Sequence, residues 1–348
     1  MVKNDPVTEV PAYCMVCGKK RVGEELRCKS CGSPFEIRTG FHYRENIEDN
    51  FPYIKNMISL GESETPIFHG DDFDLKLDYM LPTFSYKDRG SRILISHIAD
   101  IRDSYGITRI SEDSSGNAGA SIAAYGSAAG LAVDIYVPET VAGRKFSQIQ
   151  AYGANVIKVK GSREDVQSAA ERSESFYASH VLRPEFRDGI RTLAYEIYRQ
   201  YDRMPRNIYI PVSAGTLLLG LYSGLRHLME SGEIAEMPAI VAVQTEAVSP
   251  LCAKINGLNY DPDNKLSSIA DALVSRKPVL LQKMYQVISE YGRCMTVSDD
   301  EIIEARNRLA KKGFLVEYSS ATVYAAFRKK PQENSLLVLT GSGLKNDS

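Results

Sequence analysis

The chain has 348 residues, of which 43% are hydrophobic and 25% charged, and its formal net charge is −2. That length supports two domains with a sizeable core, and the balance is that of a soluble globular protein. It excludes an electrostatic drive toward nucleic acid or an anionic membrane as partner, and no apolar run approaches the roughly 20 residues that a membrane-spanning helix needs.

The opening Met-Val-Lys-Asn-Asp-Pro lacks the apolar core of a secretory signal, so the expected location is cytoplasmic. Four of the six cysteines follow as two pairs, Cys14-x-x-Cys17 and Cys28-x-x-Cys31. Gly18 and Gly32 stand directly after the second cysteine of each pair, where a tight turn around a metal needs glycine. This spacing predicts a zinc ribbon over residues 8–40, with four thiolates closing a tetrahedral structural Zn²⁺ site. Two disulfides or a rubredoxin-like iron site are the alternatives, and a cytosolic setting argues against the disulfides. Cys252 and Cys294 stand alone and read as small interior hydrophobes.

From about residue 41 the pattern is alternating α/β. Leu81-Pro82-Thr83-Phe84-Ser85-Tyr86-Lys87-Asp88-Arg89-Gly90 places a lysine after a loop-forming proline and before an amphipathic stretch. Such a lysine is either a solvated charge at a helix start or a functional amine. A short strand, Arg109–Ile110, leads into Glu112-Asp113-Ser114-Ser115-Gly116-Asn117-Ala118, which opens a helix at Ala118–Ala129. Small residues at a helix N-terminus let backbone amides approach an anion, although Ser and Asn also serve as plain helix caps.

Further strands are expected at Ala132–Val137, Val156–Val159, Asn207–Pro211, Ile240–Gln244 and Leu336–Leu339. Helices are expected at Gly189–Gln200, Leu217–Glu230 and Asp299–Lys312. Apolar strands alternating with helices imply parallel sheets covered by helices. Pro211-Val212-Ser213-Ala214-Gly215-Thr216 is a second small-residue loop between strand and helix, able to cradle a phosphate through successive N–H groups or to act as a plain structural turn. Glu246 and Glu317 each read either as site-lining or as surface and capping residues, and Leu339-Thr340-Gly341-Ser342-Gly343-Leu344-Lys345 ends the pattern.

Taken together, in this order, these motifs resemble the threonine synthase family over nearly the whole chain. The lysine segment resembles Asn-Pro-Thr-Gly-Ser-Phe-Lys-Asp-Arg-Gly, with Leu81, Phe84 and Tyr86 in place of Asn, Gly and Phe. The resemblance implies an α/β fold of the tryptophan synthase β type, pyridoxal 5'-phosphate (PLP) fold type II, with two parallel-sheet domains after the zinc ribbon. It implies a larger PLP-binding domain from residues 41–90 and 182–348, a smaller one from 91–181, and a homodimer.

It also implies that Lys87 forms a Schiff base with PLP, that Asn117 meets the phenolic oxygen, that Ser213, Ala214, Gly215 and Thr216 bind its phosphate, and that Thr340 meets the ring nitrogen. Ser85, Ser114, Ser115, Gly116 and Ala118 are implied at an amino-acid substrate. The family's Asn-Ser-x-Asn-Pro-x-Arg, which carries a substrate phosphate, aligns with His180-Val181-Leu182-Arg183-Pro184-Glu185-Phe186-Arg187; His180, Arg183 and Arg187 are the candidates for that charge. The implied reaction is γ-phosphate elimination and β-hydration of O-phospho-L-homoserine to threonine. A related PLP lyase or β-replacement enzyme, cysteate synthase-like or serine/threonine dehydratase-like, is the alternative.

Overall fold

The computed structural model describes residues 9–141, 143–264 and 266–345, so the opening hexapeptide lies outside the described residues. The first elements are β1 (Ala12–Cys14), β2 (Phe35–Ile37), β3 (Ile67–His69) and β4 (Asp74–Lys76). Helix α1 (Lys87–Tyr105) then leads into β5 (Arg109–Glu112), α2 (Asn117–Ala128), β6 (Ala132–Pro138), α3 (Arg144–Ala151), β7 (Asn155–Val159), α4 (Arg163–Glu171) and β8 (Phe176–Tyr177). After α5 (Pro184–Ile190) and α6 (Thr192–Gln200) come β9 (Asn207–Pro211), α7 (Thr216–Glu230), β10 (Ala239–Thr245), α8 (Pro250–Asn256) and α9 (Leu281–Tyr291). The last are β11 (Gly292–Val297), α10 (Asp299–Lys311), α11 (Tyr318–Lys329) and β12 (Ser335–Val338).

The chain divides into two compact units, Met1–Glu62 with Lys87–Gly189, and Ser63–Tyr86 with Ile190–Ser348. In the first unit β5 to β8 form an all-parallel sheet in the order β7-β6-β5-β8. Strand β6 is buried on both faces, as a parallel strand under helices must be. The antiparallel pair β1–β2 seats Ala12, Phe35 and Ile37 against Phe51, Tyr53 and Ile93, so the cysteine-bearing segment packs on α1. In the second unit the order is β11-β10-β9-β12-β4-β3, parallel except at β3. Its core joins Tyr209, Val241 and Val243 to Ile302 and Leu309 of α10 and to Ala321 of α11. Helix α10 starts on a capping box, Ser298 with Glu301, which satisfies two otherwise orphaned donors.

The expected strands appear, each end within one residue except that the strand expected at Arg109–Ile110 runs on to Glu112, and so do the helices at 118–129, 217–230 and 299–312. The helix expected at 189–200 is divided at Arg191 into α5 and α6, where the chain passes from the first unit to the second. Cys252 and Cys294 are buried as expected but not isolated: a disulfide joins them, 42 residues apart, because α8 packs on β11. Among the described residues no helix is long and apolar enough to cross a membrane.

Candidate active site

In the first unit Lys87 is the first residue of α1, and its Nζ stands 6.0 Å from the centroid of the Phe186 ring. Gly90 lets that ring in, since a Cβ there would sit 2.5 Å from Phe186 Cε1. The start of α1 is tied to α2: Ser121 Oγ donates to Asp88 Oδ1 at 2.6 Å, with both groups buried. This bond holds Lys87 in register with the loop that opens α2. In that loop Ser114, Ser115, Gly116 and Asn117 are partly exposed, whereas Ala118 is buried. A Cβ at Gly119 would lie 1.9 Å from the Ser114 carbonyl oxygen, so only glycine allows the loop to fold over the helix start. The N–H groups of that 12-residue helix make a natural seat for a carboxylate.

At the carboxyl end of β5, Glu112 and Asp113 are buried, and the sequence reading gave neither a role. His180 follows β8 and brings its Nδ1 to 2.5 Å from Glu112 Oε1, while its backbone N–H donates to Oε2 at 3.2 Å. Burial, and then the charge of Lys87, hold the His180 imidazole down to about 3. Both causes favour the uncharged ring. Burial, and then Asp113, push the Glu112 carboxyl up. Asp113 accepts from Tyr177 Oη at 2.7 Å and pairs with Arg163 at 2.6 Å.

Arg183 and Arg187 face the cysteine-bearing segment. Arg183 donates to the Tyr177 carbonyl at 2.9 Å and to Glu24 Oε2 at 2.8 Å, and lies over the Phe176 ring at 4.0 Å. Arg187 donates to the carbonyls of Val181 and Phe35, and burial lowers it to about 10.

The second unit assembles the other motifs around Tyr86. Its backbone N–H donates to the Thr340 carbonyl at 3.0 Å, and its hydroxyl lies 3.4 Å from Thr216 Oγ1. Ser85 bridges Gly341, Ser342 N–H donates to the Phe84 carbonyl at 3.1 Å, and Lys345 Nζ to the Thr83 carbonyl at 2.7 Å. Ser320 Oγ accepts from the Thr340 N–H at 2.8 Å. Phe84 holds φ of +63° with its side chain half exposed. The backbone thus takes, with a phenylalanine, the left-handed conformation that suits the family's glycine.

Gly215 has φ of +102°, and a Cβ there would lie 2.5 Å from Met284 Sδ. It opens the 15-residue α7, with Ser213 and Ala214 partly exposed beside it, and the Ser275 N–H donates to Ser213 Oγ at 3.3 Å. Glu317 is buried against Gly341, whereas Glu246 is exposed and 3.8 Å from Lys329.

These residues suit PLP. The α7 N-terminus offers N–H groups to a phosphate, Thr340 a hydroxyl, and Lys87 an amine on a helix start. Ser85 Oγ adds a fully buried hydroxyl with no hydrogen-bond partner among the described residues.

The four clustered cysteines suit a cation. Their Sγ atoms lie 3.4 Å (Cys14–Cys31), 3.5 Å (Cys17–Cys28) and 3.7 Å (Cys17–Cys31) apart. Tetrahedral zinc with bonds of about 2.3 Å would space its sulfurs by about 3.8 Å. Hydrogen bonds from Ser33 hold the Cys31 thiol down to about 6. Cys17, although the Lys19 N–H pulls it down, is pushed up to about 11, chiefly by Cys14.

Two units with parallel sheets, one with a lysine at a helix start and the other with a small-residue loop before a helix, are the arrangement of PLP fold type II. The family model described as pyridoxal-phosphate dependent enzyme matches residues 58–341, and the chain belongs to that family. Its curated relatives include a threonine synthase of Methanocaldococcus jannaschii, 28% identical over 96% of this chain and 92% of the relative. Another, from Methanosarcina acetivorans, is 27% identical over 91% and 85%. Among solved structures, a pyridoxal 5'-phosphate-dependent aspartate racemase has the same fold, with a TM-score of 0.69 at 22% identity over 82% of this chain and 91% of that one.

Proposed function

We propose that this chain is a PLP-dependent lyase that eliminates the side-chain oxygen substituent of an amino acid. The observation that carries the reading is Tyr86: the residue before Lys87 bonds to Thr340 and lies beside Thr216, so one residue links three motifs. PLP supplies an electron sink for the Cα carbanion. Lys87 would hold PLP, and its amine, once free, would take the substrate Cα proton and return it later. Asn117 would hold the cofactor ring, and Ser213, Ala214, Gly215 and Thr216 would hold its phosphate. Thr340 would hold the ring through a hydroxyl, which would tune the sink more gently than a carboxylate. The loop Ser114–Asn117 orients the substrate carboxylate, and the ribbon cysteines hold a structural Zn²⁺.

The resemblance and the relatives' names favour O-phospho-L-homoserine as substrate, with water captured to give threonine. A specific observation favours a second reading, elimination from a hydroxy amino acid: Arg183 and Arg187, the expected phosphate partners, are engaged by Glu24 and by backbone carbonyls. The test is to incubate PLP-loaded protein with O-phospho-L-homoserine, L-serine and L-threonine, and to measure phosphate, threonine and α-keto acid. Threonine with equal phosphate establishes the first reading, and keto acid the second. No product from any of the three contradicts the proposal.

A further inference from the structure

The sheet of the first unit has a topological switch point. The chain lays down β5, β6 and β7 in one direction and then returns to place β8 on the far side of β5. In open parallel sheets ligands bind outside the carboxyl ends of the strands at such a point. Here the point is occupied by Glu112, the last residue of β5, and by His180 just after β8, joined at 2.5 Å. His180 packs edge-on against Phe186, with centroids 5.9 Å apart, and Phe186 is the ring that faces Lys87 Nζ.

Lys87 is the cation that acts on both Glu112 and His180, and the other charges around this point are engaged. Asp113 is paired with Arg163, and Arg183 and Arg187 point to Glu24, Val181 and Phe35. Within 180–187, what faces the switch point is therefore an imidazole fixed by a carboxylate and an apolar ring.

We propose that His180, oriented by Glu112, selects the substrate by hydrogen-bonding an uncharged side-chain hydroxyl, and that it discriminates against a phosphate ester. This rests on the reading of the chain as a PLP-dependent lyase. A neutral imidazole offers either a lone pair or an N–H at Nε2, depending on which partner carries the shared proton. A hydroxyl both donates and accepts, so it pairs with the ring in either tautomer. A phosphate dianion only accepts and needs cationic donors to offset its desolvation.

The test compares kcat/KM of the PLP-loaded enzyme for L-serine, L-threonine, L-homoserine and O-phospho-L-homoserine. Binding of L-alanine, which lacks the hydroxyl, is followed by the change in cofactor absorbance. At least one hydroxy amino acid should exceed the phosphate ester by about tenfold or more. His180→Asn should lower that kcat/KM by about 10- to 100-fold while alanine still binds as in the wild type. Glu112→Gln should give the same hydroxyl-selective loss in smaller degree, and it keeps the test open if His180→Asn does not fold. Preference for the phosphate ester, or equal loss for alanine and the hydroxy amino acid, overturns the selection by His180 but leaves the lyase reading intact. No absorbance change with any amino acid overturns both.

Discussion

Tyr86 donates its backbone N–H to the Thr340 carbonyl at 3.0 Å, and the next residue in the chain is Lys87. The two motifs lie some 250 residues apart in sequence, yet the antiparallel bridge of Ser85 with Gly341 makes them one piece of backbone. A change that loosens Thr340 should therefore be felt at the lysine.

Ser320→Ala tests this connection. It removes the acceptor of the Thr340 N–H in a buried setting, which should cost about 1–3 kcal/mol of stability. PLP affinity should weaken in parallel, measured by equilibrium dialysis beside a urea titration. Unchanged affinity would mean that Thr340 is held by its other contacts.

Phe84→Gly should stabilise the protein by about 1 kcal/mol. A left-handed backbone costs a non-glycine residue about 1–2 kcal/mol, and a glycine's extra unfolded-state freedom takes back only part of that. The half-exposed ring loses little burial. Thermal unfolding reads the sign, and a loss of stability would mean that the ring packs on something that outweighs the strain.

Arg183→Ala should cost about 1–3 kcal/mol: Glu24, half-buried, loses the guanidinium but keeps His97 at 3.0 Å and Arg21 at 3.5 Å. The KM of the surviving folded enzyme should not change, since the guanidinium is turned toward Glu24. A large rise in KM with little loss of stability would place Arg183 at the substrate instead.

Acid sensitivity should trace in part to Glu185. Against burial, which alone would raise it, Arg21, His97 and Arg183 hold its carboxyl down to about 2. A folded value below the unfolded one gives stability that is complete above the unfolded carboxylate range, about 4.5, and is lost as pH falls from there toward 2. Glu185→Gln should lower stability at neutral pH and flatten the slope in that window, followed by denaturant midpoints against pH. An unchanged slope would assign the acid transition to other groups.

The sheets were legible because their central strands are short β-branched runs that need no special partner to be apolar. Strand β4, Asp-Leu-Lys, was not, since two of its three residues are charged. It is buried only because Lys76 Nζ finds Glu196 at 2.9 Å and the Thr65 carbonyl at 2.6 Å. The loops before Asn117 and Thr216 could be read as anion seats because small residues at helix starts carry their own signature, whereas the roles of Lys87 and Thr340 came from the family resemblance. The direction of Arg183 could not, because its partner Glu24 is 159 residues away and in no local pattern. Glu112 and Asp113 offered a faint signal, two acids at a strand end beside a serine-rich loop, and only the position of His180 gives it meaning.

The most direct measurement is to load the protein with PLP, reduce it with borohydride, digest it and locate the added mass. The expected result is one pyridoxyl group per chain, on the peptide that contains Lys87 and on that residue, with none retained by Lys87→Ala. Label on another lysine, or no stoichiometric label at all, would contradict Lys87 as the cofactor-bearing residue.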